Sequence, residues 1–194
     1  MMLSRINSMF CKEMSCIKKL NGYHYFEKNV GPFRNLSSLS QREAEAVSQQ
    51  IRQEGRVFAA KRSSDYITIR RRLEHMAYEK FIAKGGKPAQ DYPHYLTLGV
   101  CPWLESWYQE PDHIIVPWEE LPAEVVSFTY GDLFPTMRYE DDKSYRKQVY
   151  TKDEIDELIQ TYGLPQDWNR TGKQGPERYI EVQVWDNEVI RAYR

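Results

Sequence analysis

The sequence predicts an α+β fold, with a mainly antiparallel sheet from the C-terminal two-thirds of the chain packed against roughly three to five helices. Three observations carry that expectation. Helical patterns come first and β-branched, aromatic segments dominate later, an order unlike the strict alternation of a parallel α/β sheet. Two capping boxes, Ser40-x-x-Glu43 and Thr151-x-x-Glu154, open amphipathic runs that end at Gly55 and Gly163. The C-terminal stretch "RYIEVQVWDNEVIRAY" alternates, with Ile180, Val182 and Val184 on one face and Glu181 and Gln183 on the other.

The elements follow in order. Leu3, Ile6, Phe10, Met14 and Ile17 have helical spacing, so residues 1–20 read as an N-terminal helical extension and residues 21–194 as a single α+β domain. After the Ser40 cap, Ala44, Val47 and Ile51 share one face. A longer helix is expected from Ser64 or Asp65 to about Lys84, with Tyr66, Ile69, Leu73, Met76 or Ala77, and Phe81 as its apolar stripe and Gly85-Gly86 as its stop. The residues of its Arg70-Arg71-Arg72 run stand about 100° apart around the helix axis, too spread to form one patch, and read as a solvated face. "HYLTLG", "HIIVPW" and "EVVSFTYG" read as strands. Between the first two, Pro102 opens a short helix to Gln109 whose Trp103, Leu104 and Trp107 are expected in the core. Tyr92, His94, Tyr95 and Tyr108 have polar tips that suit a cleft wall. Residues 136–150 read as two strands around a turn at 140–143, and Asp186-Asn187 as the turn of a second hairpin. From Ile155 to Tyr162 a compact apolar face marks the cleanest helix, followed by a long loop over 163–177.

Composition narrows the function classes. With 41% hydrophobic and 28% charged residues over 194 positions, the chain is globular. A formal net charge of −1 disfavours a nucleic-acid partner, which needs several phosphates neutralised. No apolar run approaches the roughly 18 residues of a membrane span, so no membrane partner is expected. Cys11, Cys16 and Cys101 form no disulfide framework and read as reduced thiols of a cytoplasmic protein. His24, His75, His94 and His113 lack paired metal-ligand spacing, so no metal is expected. Neither a nucleophile elbow nor a phosphate-binding glycine loop is present, and no cofactor is evident from these residues. The loops "GPFRNL" and "FTYGDLFP" present Arg34 and Asp132, and Arg34, Arg62, Arg138 and Arg146 would clamp a phosphate if they converge.

One ordered set has a further resemblance. "GYHYFE" places His24 on an early strand, "HYLTLG" and the aromatic helix place Tyr95 and Tyr108 in the middle, and "YIEVQVW" places Glu181 on a late strand. This order resembles the ADP-ribosyltransferase-like folds. The resemblance implies NAD as cofactor or substrate. His24 would hydrogen-bond the adenosine-side ribose, and Tyr95 or Tyr108 would stack on the nicotinamide. Glu181 would orient the acceptor and steady an oxocarbenium-like transition state. Tyr25 stands where that family places Thr or Ser after the histidine. Three expectations therefore stand, the least favoured being a nucleic-acid binder that uses Arg70 to Arg72, which the charge disfavours. The leading one is a small regulatory or immunity-type protein that engages a protein partner through aromatic and arginine anchors. The alternative is an NAD- or nucleotide-binding enzyme with His24, Tyr95 and Glu181 as catalytic residues and Arg34, Tyr108 and Arg138 as cofactor-binding residues.

Overall fold

The structure, a computed structural model, describes residues 20–194, so the helix expected over residues 1–20 lies almost wholly outside the described residues. Five strands, β1 Gly22–Glu27, β2 His94–Leu98, β3 Pro111–Val116, β4 Val126–Thr129 and β5 Glu181–Val184, form one antiparallel sheet in the order β3-β1-β2-β5-β4. The fold is α+β, as the sequence predicts. Four strands come from the C-terminal two-thirds, while β1 enters the sheet from the chain's first thirty residues.

Seven α-helices occur among the described residues, more than predicted: α1 Gln41–Glu54, α2 Tyr66–Ala83, α3 Pro102–Glu105, α4 Leu133–Arg138, α5 Lys152–Tyr162, α6 Pro165–Trp168 and α7 Asn187–Arg191. The excess lies in α4, α6 and α7, which have only 4 to 6 residues each and too few turns to show a periodicity in sequence. Both capping boxes form: Ser40 and Thr151 accept the Glu43 and Glu154 amides, and each glutamate accepts its cap's amide in return. None of the described helices is long and apolar enough to cross a membrane.

Sheet register decides which side chains meet. β5 is central, and Glu181 lies between Thr97 and Thr129, Val182 between Leu96 and Phe128, and Gln183 between Tyr95 and Ser127. One face is apolar, where Leu96, Leu98, Val126, Phe128, Val182 and Val184 pack with Ile155 of α5. The other face carries Tyr95, Glu181, Gln183 and Ser127, and is roofed by Leu73, Ala77 and Phe81 of α2 with Leu133 and Met137 of α4. Glu181 and Gln183 lie on that second face, as the alternation predicts, and both are buried because this second layer covers them.

Three more local expectations are corrected. Residues 136–150 are not a hairpin. Asp132 instead caps α4 through the Phe134 amide, and the following segment turns with Asp142 and Lys147 at positive φ, leaving one bridge between Tyr150 and Phe128. Asp186 starts α7 by accepting the Glu188 amide rather than turning a hairpin. The same residue types serve turns and N-caps, so composition alone does not separate the two. In α1, Ala44 is buried but Val47 is 38% exposed, so the apolar face is narrower than predicted.

Candidate functional site: a cleft where two strands part

β1 pairs with β3 along its whole length but with β2 only at Gly22 and Tyr23. Beyond Tyr23 the two strands separate, and the His24 ring takes the place of the missing ladder bond. Its Nδ1 lies 2.8 Å from the Tyr95 carbonyl, and its Nε2 accepts the Phe33 amide at 2.8 Å. An Nε2 that accepts is unprotonated, so Nδ1 carries the hydrogen and donates it. Burial holds His24 down at about 4, the first cause being desolvation. Its ring also stacks on Phe33, centroids 4.1 Å apart.

The parted strands open a cleft of about 700 Å³. All six residues singled out from the sequence, His24, Arg34, Tyr95, Tyr108, Arg138 and Glu181, line it. His24 has both ring nitrogens engaged and serves as the joint between the strands and the 31–36 loop. The Tyr95 hydroxyl points into the protein and donates to Glu74 at 2.7 Å, while part of its ring faces the cleft. Of the other wall candidates, His94 and Tyr108 line the cleft, and Tyr92 does not. Trp103, Leu104 and Trp107 are half-buried lining residues, not core, because α3 stops at Glu105 and sits at the cleft mouth. Trp107 stacks on Phe58 at 4.0 Å and meets Trp103 edge-on at 4.9 Å.

Charge is concentrated here. Arg34, Arg62, Arg70, Arg138 and Arg178 line the cleft, against the carboxyl groups of Asp132 and Glu181. Four of the guanidinium groups lie over aromatic rings: Arg62 over Tyr66 at 4.3 Å, Arg70 over Tyr95 at 4.5 Å, Arg178 over Trp103 at 4.3 Å and Arg138 over Phe134 at 5.9 Å. Arg70 is held by Glu74 at 2.8 Å and by the Tyr66 hydroxyl at 2.8 Å. Among the described residues, the other four have no carboxylate within ion-pair distance. Arg146, expected in the same clamp, instead pairs with Glu177 and Asp141 and does not line the cleft. The arginine run of α2 is not a uniform solvated face. Arg70 reaches the cleft, Arg71 bonds the Ser37 and Leu39 carbonyls, and of the three only Arg72 is exposed.

Glu181 sits at the floor. Its Oε1 accepts the Leu133 amide at 3.2 Å and the Gln183 amide nitrogen at 3.1 Å, and its Oε2 lies 3.3 Å from the Tyr179 hydroxyl. Burial, and next the charge of Asp132, push its carboxyl well above the usual range. An arginine-rimmed, aromatic cleft with a buried acid of raised proton affinity at its floor suits a ligand that joins a planar ring to phosphate.

Arg70, Tyr179 and the pairing of Asp132 with Glu181 escaped the sequence reading. A signal existed for Arg70: Tyr66, Arg70 and Glu74 stand at i, i+4 and i+8, a polar row beside the apolar stripe. Cys101 is buried and its thiol is pushed up by desolvation, consistent with a packed small side chain. Among the described residues no three His, Cys, Asp or Glu side chains gather as metal ligands. Comparison of the chain with family models, with curated proteins and with solved structures found no match.

Proposed function

We propose that this chain binds a nucleotide, with NAD within the class, in the cleft between β1 and β2 and acts on it through Glu181. One observation carries the reading: five arginines converge on a single aromatic cavity, and four of them have no carboxylate partner among the described residues. The chain as a whole has a net charge of −1, so this concentration of positive charge is local. Arginine forks match phosphate geometry, and Trp103, Trp107, Phe58 and Tyr95 offer ring faces for a base. The order His24, Tyr95, Glu181 that resembles ADP-ribosyltransferases favours NAD as the first ligand to try. His24 would then act by fixing the loop at Phe33, not by touching the ribose. The partner-binding reading draws less support, because the large exposed apolar side chains, such as Val30, Val47, Ile82 and Val100, are scattered over separate elements.

A thermal-shift series tests this. NAD, ADP-ribose and AMP are expected to raise the melting temperature, since a ligand at 100 times its Kd adds about 2.7 kcal/mol to the native state. Adenosine, which lacks phosphate, is expected to do much less. Arg138→Ala and Arg178→Ala are each expected to weaken AMP binding, and the loss is expected to shrink as salt is raised. Equal shifts for adenosine and AMP, or none for any nucleotide, would reject the reading.

A further inference from the structure

Two carboxyl groups and one phenol meet at the cleft floor. Tyr179 is 3% exposed, and its hydroxyl lies 2.9 Å from Asp132 Oδ2 and 3.3 Å from Glu181 Oε2. A phenol carries one hydrogen. It can donate to Asp132 or to Glu181, and the second contact is a hydrogen bond only if a carboxyl supplies the proton. The shorter contact assigns the phenol's hydrogen to Asp132, which leaves Glu181 to donate to the phenol oxygen. The surroundings agree. Across the strands, Thr97 and Thr129 spend their hydroxyl hydrogens on the Gly99 and Gly131 carbonyls and give none to Glu181. From α2 the facing charged groups are Arg70, already paired with Glu74, and Glu74 itself, which also takes the Tyr95 hydroxyl. From the α4 side come the Leu133 amide and Asp132, whose Oδ1 is committed to the Phe134 amide. Burial, and next the neighbouring charge of Asp132, raise the proton affinity of Glu181.

We propose that Glu181, Tyr179 and Asp132 form a proton-holding chain in which Glu181 is the general acid toward a ribosyl phosphate whose leaving base must be protonated as it departs. This rests on the nucleotide reading of the cleft, and it narrows the substrate class. NAD releases nicotinamide from a pyridinium and needs no such proton, whereas a neutral base on a nucleotide does. As the C1′–N bond breaks, its electron pair goes to the departing nitrogen, which takes the Glu181 proton. Water adds to C1′ and yields a proton to Asp132. The Tyr179 hydroxyl then takes that proton while passing its own to Glu181. The net change is water plus N-ribosyl phosphate giving ribose phosphate plus free base. Asp132 receives the water's proton and so touches a reacting atom, whereas Tyr179 acts through Glu181 and is a positioning residue.

The experiment has two arms on the full chain. In the first, the carboxyl carbon of Glu181 is titrated by NMR in glutamate-labelled protein, assigned with Glu181→Gln. The wild type is expected to titrate above the usual carboxylate range, and Asp132→Asn to move it downward. In the second, base release is followed with AMP and with NAD. Glu181→Gln is expected to lower kcat on AMP by about 10²–10⁴-fold with AMP binding retained. Asp132→Asn is expected to shift the alkaline limb of the AMP rate profile to lower pH, and Tyr179→Phe, which keeps the ring, to lower kcat without raising KM. Failure of AMP to bind overturns the nucleotide reading and this proposal together. Binding of AMP with Glu181 titrating in the ordinary range, or faster base release from NAD than from AMP, overturns this proposal alone.

Discussion

His24 shows how one side chain sets the geometry of the cleft. It replaces a ladder bond to β2 on one ring nitrogen and holds the Phe33 amide on the other. Phe33 has φ +53, a left-handed conformation that a bulky residue does not adopt unaided, so the histidine and its stack help to hold a strained turn. Only the neutral imidazole can do this, because a protonated Nε2 no longer accepts. Its folded value, lowered from 6.5 to about 4 mainly by desolvation, gives the sign of the pH effect. Between those values the unfolded chain binds the proton and the folded chain does not, so stability falls as pH is lowered through that window. The stabilisation is fully present above 6.5, and about 3 kcal/mol of it is lost on reaching pH 4. Denaturant titrations of wild type and His24→Gln from pH 7 to pH 4 check it. The variant is expected to be less stable at pH 7 and to show a flatter pH dependence, and parallel curves would remove His24 as the cause.

At the scale of elements, α5 is the part of the fold most plainly written in the sequence. Its box closes through the Thr151 hydroxyl and Glu154, and the face beneath meets the apolar side of the sheet. Ile155 is fully buried, whereas Leu158 is only partly so. Ile155→Ala is therefore expected to cost about 2–5 kcal/mol, with Leu158→Ala costing less, and Thr151→Ala about 1 kcal/mol through the lost cap. Urea midpoints rank the three, and a Leu158 loss above the Ile155 loss would contradict this packing. The same reasoning shows what was legible. Caps, terminating glycines and strand alternation are local, so α1, α2, α5 and all five strand segments could be read from neighbours in the chain. Which faces are covered is not local. Alternation correctly placed Glu181 and Val182 on opposite faces of β5. Only the docking of α2 and α4 over the second face decides that Glu181 is buried. Likewise Trp103 and Trp107 lie in a wall because β1 leaves β2 after Tyr23, a long-range event with no signature in "PWLESW".

At the scale of the whole molecule, the cleft depends on chain that has little regular structure. Segments 139–150 and 169–180 contribute Tyr139, Gly172, Gly175, Pro176, Arg178 and Tyr179 to its wall. What fixes them is a partly buried ionic knot beside the cleft. Arg146 bonds Asp141 through two contacts of 2.7 Å and also pairs with Glu177, which Lys143 approaches at 3.1 Å. The Asn169 amide nitrogen donates to the Gly175 and Glu177 carbonyls at 2.9 and 2.6 Å. Gly175, at φ +133, lies where a Cβ would meet Glu177 Oε2 at 2.6 Å, so the knot has no room for a side chain there. Glu177 is fully buried and does not line the cleft, which separates its structural role from any contact with ligand. Removing it leaves Arg146 buried beside a half-empty site, so Glu177→Ala is expected to cost about 3–5 kcal/mol. The two segments would also lose their common anchor, and Arg178 and Tyr179 would move with them. The same variant is therefore expected to bind AMP more weakly at a temperature where it remains folded, although no ligand-facing atom has changed. Melting curves with and without AMP measure both effects. A variant that lost stability but kept wild-type AMP affinity would show that the wall holds its shape without the knot.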